Sequence, residues 1–292
     1  MRKEIFKGAA TALITPFTQT GVDWDSFEKL INIQIEAGIN ALVICGTTGE
    51  ASTMPDDEHL EVIRFAVEKA AGRVPIIGGT GSNDTRHGIK LSQGAEAFGA
   101  DALLLVTPYY NKTSQEGLYQ HFKALADSVN IPIVLYNVPT RSSVNISPET
   151  TAQLAQIDNI VAVKECNLAQ LADVRRLTPE DFSIYSGNDD QILYNLAMGG
   201  SGVISVLSNI MPAYTTRMTS KYFSGDIEGS RKMQLDAMPL INALFCDVNP
   251  IPVKAAMALM GYCNGLLRMP LINMAADKLS VLKNEMAKFN LI

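Results

Sequence analysis

Short apolar runs recur through the first two-thirds of the chain, at residues 10–14, 41–45, 74–77, 102–106, 131–136, 160–163, 182–185 and 202–206. Most are continuous rather than alternating, and several are rich in valine and isoleucine. A strand buried on both faces needs that pattern, as in a parallel sheet covered by helices. Between the runs the apolar spacing becomes helical. Phe27, Leu30, Ile31 and Ile35 share one face, and Gly38 can end that helix. Leu60, Ile63, Val67 and Ala70 repeat the pattern behind Thr53-x-x-Asp56, which resembles a capping box. Leu118, Phe122, Leu125 and Val129 repeat it behind Thr113-x-x-Glu116, and Ser147-Pro148 supplies an N-cap and a first-turn proline for the next helix.

Strands that alternate with helices in this number are most economically closed into a (β/α)8 TIM barrel, an α/β fold. A doubly wound open sheet is the alternative, but no G-x-x-x-x-G-K-[ST] is present and Gly78-Gly79-Thr80-Gly81 is not a G-x-G-x-x-G. From about Ser224 the strand-like runs stop, and the pattern predicts two or three further helices, with Asn249-Pro250-Ile251-Pro252 as the stiff start of one. The expected organisation is a barrel over 1–223 and a C-terminal helical extension over 224–292, packed as one structural unit.

Composition narrows the function classes. The chain has 292 residues, 47% hydrophobic and 18% charged, with a formal net charge of -6 and no long basic run, so nucleic acid is not an expected partner. The apolar runs are too short to span a bilayer and the N-terminus lacks the apolar stretch of a signal peptide, which predicts a cytoplasmic protein with no membrane partner. Cys45, Cys166, Cys246 and Cys263 show no C-x-x-C spacing, and Cys45 reads as core. His59, His87 and His121 are the only histidines, none at metal-ligand spacing, so no metal and no cofactor is expected. The chemistry expected is organic.

In a barrel, function collects at the C-terminal ends of the strands. Those ends carry Gly46-Thr47-Thr48-Gly49-Glu50, Gly79-Thr80-Gly81-Ser82-Asn83, Thr107-Pro108-Tyr109-Tyr110-Asn111, Tyr136 through Arg141, Lys164-Glu165, and Ser186-Gly187-Asn188-Asp189-Asp190. Lys164 is either a solvated lysine at a strand exit or an inward amine. In the second case a neutral form can attack a carbonyl, its pKa lowered by apolar surroundings and a cation such as Arg141. Tyr136 is either a rim aromatic or a proton relay beside that amine. The Gly46–Glu50 loop is either a tight turn or an anion nest to which Thr47 and Thr48 add hydroxyl donors. Arg141 is either an exposed loop arginine or a two-pronged carboxylate clamp. Tyr109 and Tyr110 cannot both be core, which suggests an interface.

Together these residues resemble the pyruvate-dependent aldolase family that contains N-acetylneuraminate lyase and dihydrodipicolinate synthase, from about Gly8 to the C-terminus. The Gly46–Glu50 loop and Lys164 are shared across that family. Thr107-Pro108-Tyr109-Tyr110-Asn111, Tyr136-Asn137-Val138-Pro139-x-Arg141 and Asn249-Pro250-Ile251-Pro252-Val253-Lys254 resemble its synthase branch. The resemblance implies a Schiff base between Lys164 and pyruvate, attack of the enamine on aspartate 4-semialdehyde, and entry into the diaminopimelate route to lysine. It implies a relay of Thr47, Tyr136 and Tyr110, with Tyr110 reaching across a dimer interface in a homotetramer. It further implies that Thr48 holds the pyruvate carboxylate, that Arg141 meets the aldehyde's carboxylate, and that Gly187 and Ile204 line the site through backbone groups. Asn83, His59 and Tyr109 match an inhibitory lysine pocket, but His87 stands where that pocket has an acidic residue, so weak or absent lysine feedback is expected. Another lyase or aldolase of the family acting on sialic acid or a sugar-derived keto acid, and a non-catalytic small-molecule sensor on the same barrel, are the competing readings.

Overall fold

The continuous apolar runs become strands because each has two faces to bury. In this computed structural model, which describes residues 4–292, β1 (Gly8–Ala12), β2 (Ala41–Ile44), β3 (Ile76–Gly79), β4 (Ala102–Val106), β5 (Ile133–Asn137), β6 (Ile160–Glu165), β7 (Ser183–Ser186) and β8 (Gly202–Ser205) pair in parallel and close into a barrel in chain order. Alternation divides each strand. Ala10, Ala12, Ala41, Val43, Ile77, Ala102, Val134 and Ala162 face inward, while Leu42, Ile44, Leu103, Leu105, Ile133, Leu135 and Val163 face the helices. The inner set is the smaller one, as the narrow bore of an eight-stranded barrel requires. Toward the N-terminal end Phe6 stacks on Tyr185, ring centres 4.1 Å apart, and the Tyr185 hydroxyl donates to the Phe6 carbonyl at 2.7 Å. These two rings floor the barrel.

Two strands sit elsewhere than their apolar runs predict. β1 lies two residues earlier than 10–14: pairing with β8 begins at Gly8↔Gly202 and pairing with β2 ends at Ala12↔Val43. Leu13 and Ile14 follow it and are nonetheless buried; Leu13 still donates its N–H to the Val43 carbonyl at 3.0 Å, while the apolarity of Ile14 reported burial rather than strand pairing. β3 lies two residues later than 74–77. Pro75 has no N–H to donate and only accepts, from Leu42 N at 3.0 Å. The strand instead runs through Gly79, where an added Cβ would stand 2.3 Å from the Cys45 carbonyl oxygen. Glycine is needed there for β2 and β3 to approach.

The helices that return the chain between strands are α1 (Trp24–Glu36), α2 (Asp56–Ala70), α3 (Thr85–Ala97), α4 (Gln115–Ala126), a single turn α5 (Pro139–Ser142), α6 (Pro148–Leu154), α7 (Leu171–Leu177), α8 (Ile192–Ala197) and α9 (Pro212–Phe223). Ser147 caps α6 by accepting from Thr150 N, with Pro148 in the first turn, as its sequence predicts. Both expected capping boxes differ. Thr53 spends its hydroxyl on the Glu50 carbonyl in a preceding 3-10 turn, leaving Pro55 at the start of α2; Ser114, not Thr113, caps α4. After α9 come α10 (Ile227–Leu244), α11 (Ile251–Leu259) and α12 (Ala276–Lys288), with α10 against α8 and α9 and α12 against α10 and α11. Among the described residues no helix is long and apolar enough to cross a membrane.

Candidate active site

The ladder between β5 and β6 sets the first half of the site. Tyr136 pairs with Lys164, and both continue the inward face that Val134 and Ala162 begin. Lys164 is buried, its Nζ 4.3 Å from the centre of the Tyr136 ring, and it belongs to none of the ion pairs among the described residues. Burial holds its pKa below the ordinary lysine value. Cys166 and Asp189 oppose that effect, and the Arg141 guanidinium adds a smaller push in the same direction. Asp189 is itself a buried carboxyl whose pKa burial raises; its Oδ2 accepts from Val206 N and Leu207 N at 2.9 Å each. The Tyr136 hydroxyl is hydrogen-bonded to Thr47 and Cys166, and burial pushes its pKa up, so it is a neutral phenol able to donate and accept. Burial likewise pushes the Cys166 thiol up to about 11.

The loop after β2 sets the second half. Thr47 is exposed and Thr48 is buried. Cys45 and Glu50 bracket the loop with left-handed φ of 56° and 57°, a conformation rare for residues with a side chain. The loop closes on itself through Gly49 N to the Gly46 carbonyl at 3.0 Å and Glu50 N to the Thr47 carbonyl at 3.1 Å, and other bonds tie it to distant parts of the chain. Thr15 Oγ1 donates to the Gly49 carbonyl at 2.8 Å, and Asn249 Nδ2 donates to Thr48 Oγ1 at 2.9 Å. The Asn249 carbonyl in turn accepts from Arg141 Nη2 at 3.3 Å, so one residue of the C-terminal extension bridges the threonine loop and the arginine loop. Gly187 closes the opposite wall: a Cβ there would stand 2.2 Å from Cys166 Sγ and 3.2 Å from Lys164 Cε. Ile204 lies inside the barrel on β8.

Lys164, Tyr136, Thr47, Thr48, Arg141, Gly187 and Ile204 therefore gather at the C-terminal mouth. Tyr110 does not join them within one chain. Its φ is 72°, it is 91% exposed, and no hydrogen bond links it to Thr47 or Tyr136. Asn83 Nδ2 donates to the Tyr109 carbonyl at 3.1 Å and the Asn83 carbonyl accepts from Asn111 Nδ2 at 2.9 Å, which ties the loops after β3 and β4 together. His59 is buried with Nε2 2.7 Å from the Gly79 carbonyl, and burial lowers its pKa. His87 lies between Ser82 Oγ, 3.0 Å from Nδ1, and Asp56 Oδ1, 2.8 Å from Nε2. Lys90 and His87 together hold the Asp56 carboxyl down to about 2.

Sequence reasoning missed Asp56, Glu165, Asp189 and the ion pair of Glu50 with Lys254. The partners of Glu50 are more than 200 residues away, so no local spacing marks them. Glu165 directly follows Lys164 and points outward, where its carboxylate accepts from Asn137 Nδ2 and Gln170 Nε2 at 2.8 Å and from Asn167 N at 2.7 Å.

A buried inward lysine, a neutral tyrosine and paired threonine hydroxyls lie at the mouth of a (β/α)8 barrel, the setting of a lyase. The chain belongs to the dihydrodipicolinate synthetase family, which residues 5–288 match. It is 55% identical over 292 residues, covering 100% of both chains, to the 4-hydroxy-tetrahydrodipicolinate synthase of Acetivibrio thermocellus. Its structure is similar to that of dihydrodipicolinate synthase from Thermotoga maritima, with a TM-score of 0.97, 43% identity, and 99% and 100% of the two chains covered. It is also similar to the chloride-inhibited synthase of Acinetobacter baumannii complexed with pyruvate, with a TM-score of 0.96, 41% identity, and 99% and 100% covered.

Proposed function

We infer that this chain condenses pyruvate with L-aspartate 4-semialdehyde to 4-hydroxy-tetrahydrodipicolinate, the first step of the diaminopimelate route to lysine. The observation that carries the residue assignment is the β5–β6 pairing of Tyr136 with a buried, counter-ion-free Lys164. Neutral Lys164 attacks C2 of pyruvate, and the carbinolamine loses its hydroxyl as water to give a protonated imine. Loss of a C3 proton gives the enamine, which forms a carbon–carbon bond to the aldehyde carbon. The amino group of the second substrate then adds at C2, closing the ring and expelling the Lys164 amine.

Each proton moved in these steps needs a carrier at the amine, and Tyr136 bonded to Thr47 is at hand. Tyr110 of a second subunit completes the relay, which accounts for an exposed tyrosine held in a left-handed conformation. Thr48 receives the pyruvate carboxylate, Arg141 the carboxylate of the aldehyde, and Gly187 and Ile204 line the pocket. The protein works as a cytoplasmic homotetramer built from dimers. Asn83, His59, Tyr109 and His87 form the equivalent of a lysine pocket that binds lysine poorly, since the Asp56 carboxylate beside His87 is already engaged. The test is a coupled assay with both substrates, together with borohydride reduction in the presence of pyruvate. A covalent mass on Lys164 and turnover with aspartate semialdehyde are expected; no mass on Lys164 would overturn the assignment.

A further inference from the structure

One set of buried charges has no part in this chemistry. Glu50 and Lys254 form an ion pair almost wholly out of solvent, 204 residues apart in sequence. Lys254 Nζ also donates to the Leu266 carbonyl at 2.8 Å and stands 4.2 Å from the centre of the Phe17 ring. Arg268 lies over the same ring, 4.0 Å from its centre, and donates its backbone N–H to Glu50 Oε2 at 3.0 Å. Its guanidinium grips Glu58 on α2, with Nη2 2.7 Å from Oε1. A few residues upstream, Asn249 holds Thr48 from the same extension.

A buried ion pair is a poor stabiliser, because desolvation offsets most of the attraction; its better-attested use is to fix one arrangement among several. Here the arrangement fixed is local. Glu50 sits at a φ of 57°, and such a residue keeps a left-handed backbone only where its surroundings enforce it. Releasing the Glu50 side chain lets that turn relax toward ordinary φ, and the turn sets where Thr47 and Thr48 point. We propose that Glu50, Lys254 and Arg268 form a positioning device, by which the C-terminal extension holds the Thr47–Thr48 loop in the orientation in which Thr48 receives the α-keto acid carboxylate. Lys254 and Arg268 touch no reacting atom; they act through Glu50, Lys254 by its ammonium and Arg268 by a backbone N–H that its guanidinium anchors against Glu58. The inference rests on the reading of Thr48 as a pyruvate-binding residue.

Lys254→Met alone leaves a buried carboxylate with no counter-charge and only the Arg268 N–H as a donor, and is expected to unfold the chain. The working variant is therefore Glu50→Gln/Lys254→Met, which removes both charges at similar shape, with Arg268→Gln at its partly exposed position as a second variant. Each is assayed full-length, well below its own melting midpoint, for pyruvate KM, kcat and the pyruvate dependence of borohydride trapping. Leu30→Ala on α1 serves as a destabilised control. The expected result is a pyruvate KM raised about tenfold in the double variant and about threefold in Arg268→Gln, with kcat within about threefold of wild type and an unchanged KM in the control. Trapping shifts to higher pyruvate by the same factor. A folded variant of either kind with wild-type pyruvate KM overturns the proposal, leaving the network a structural one. Absence of trapping in the wild type sinks the pyruvate reading instead, so the two failures are told apart.

Discussion

The two halves of the mouth are built in opposite ways. At the β5 and β6 exits, Tyr136 and Lys164 are ladder positions, aimed by strand register before any loop is considered. At the β2 exit, Thr47 and Thr48 sit on a turn between two left-handed residues, and Asn249, Lys254 and Arg268 hold it from the far end of the chain. The first half is precise because it is part of the barrel. The second is a self-closed turn whose far side is held by a separate group of helices. The difference predicts that variants in the first half damage chemistry, while variants that release Thr48 in the second half damage substrate binding.

The largest effect should come from Lys164→Ala, which removes the proposed nucleophile. Turnover is expected to fall by a factor on the order of 1,000 or more, with no borohydride-trapped mass. Tyr136→Phe keeps the ring against Lys164 and removes only the proton carrier. It should lower kcat on the order of 100-fold with pyruvate KM nearly unchanged; a variant with normal kcat and high KM would place Tyr136 with the binding half.

Arg141→Ala should come next. Loss of a charge-assisted clamp is expected to raise the aldehyde KM about 10- to 100-fold while pyruvate trapping persists. The same variant removes a cation that depresses the Lys164 pKa. Only the neutral amine attacks, so the acid limb of kcat/KM for pyruvate should move to higher pH. Smaller still is the response to lysine, where millimolar lysine should leave most of the rate at neutral pH; halving it would show that His87 does not disable the pocket.

The smallest effect is one of stability. Burial pushes the Glu165 carboxyl up to about 7, from 4.5 when exposed. The folded chain then holds that proton more tightly than the unfolded one. Its contribution is greatest below 4.5 and lost as pH rises to about 7, a change of about 3 kcal/mol. Urea unfolding at pH 5 and pH 8 should show this loss in wild type and not in Glu165→Gln. An equal pH dependence in the two would locate the titration elsewhere.

This division also marks what was legible beforehand. Strand alternation and the rule that barrel function lies at strand exits were enough to pair Tyr136 with Lys164. The apolar runs misplaced β1 and β3 by two residues, because burial and strand pairing leave the same apolar signature and Pro75 cannot donate. Motif resemblance pointed to the Asn249–Lys254 segment, but its contact with Thr48 and Glu50 is a tertiary fact that no local spacing encodes. Tyr110 stands apart from both halves: a single chain leaves it in solvent, and a partner was suggested only by the paired aromatics in its loop and by the family resemblance.

The stacked Phe6 and Tyr185 rings carry a last consequence. With its floor sealed, the barrel is a well rather than a tunnel, so water, both substrates and product share one doorway. Under the proposed chemistry, the water lost in forming the imine leaves by the mouth through which the aldehyde arrives, and the heterocycle clears the same rim before the next pyruvate reaches the lysine.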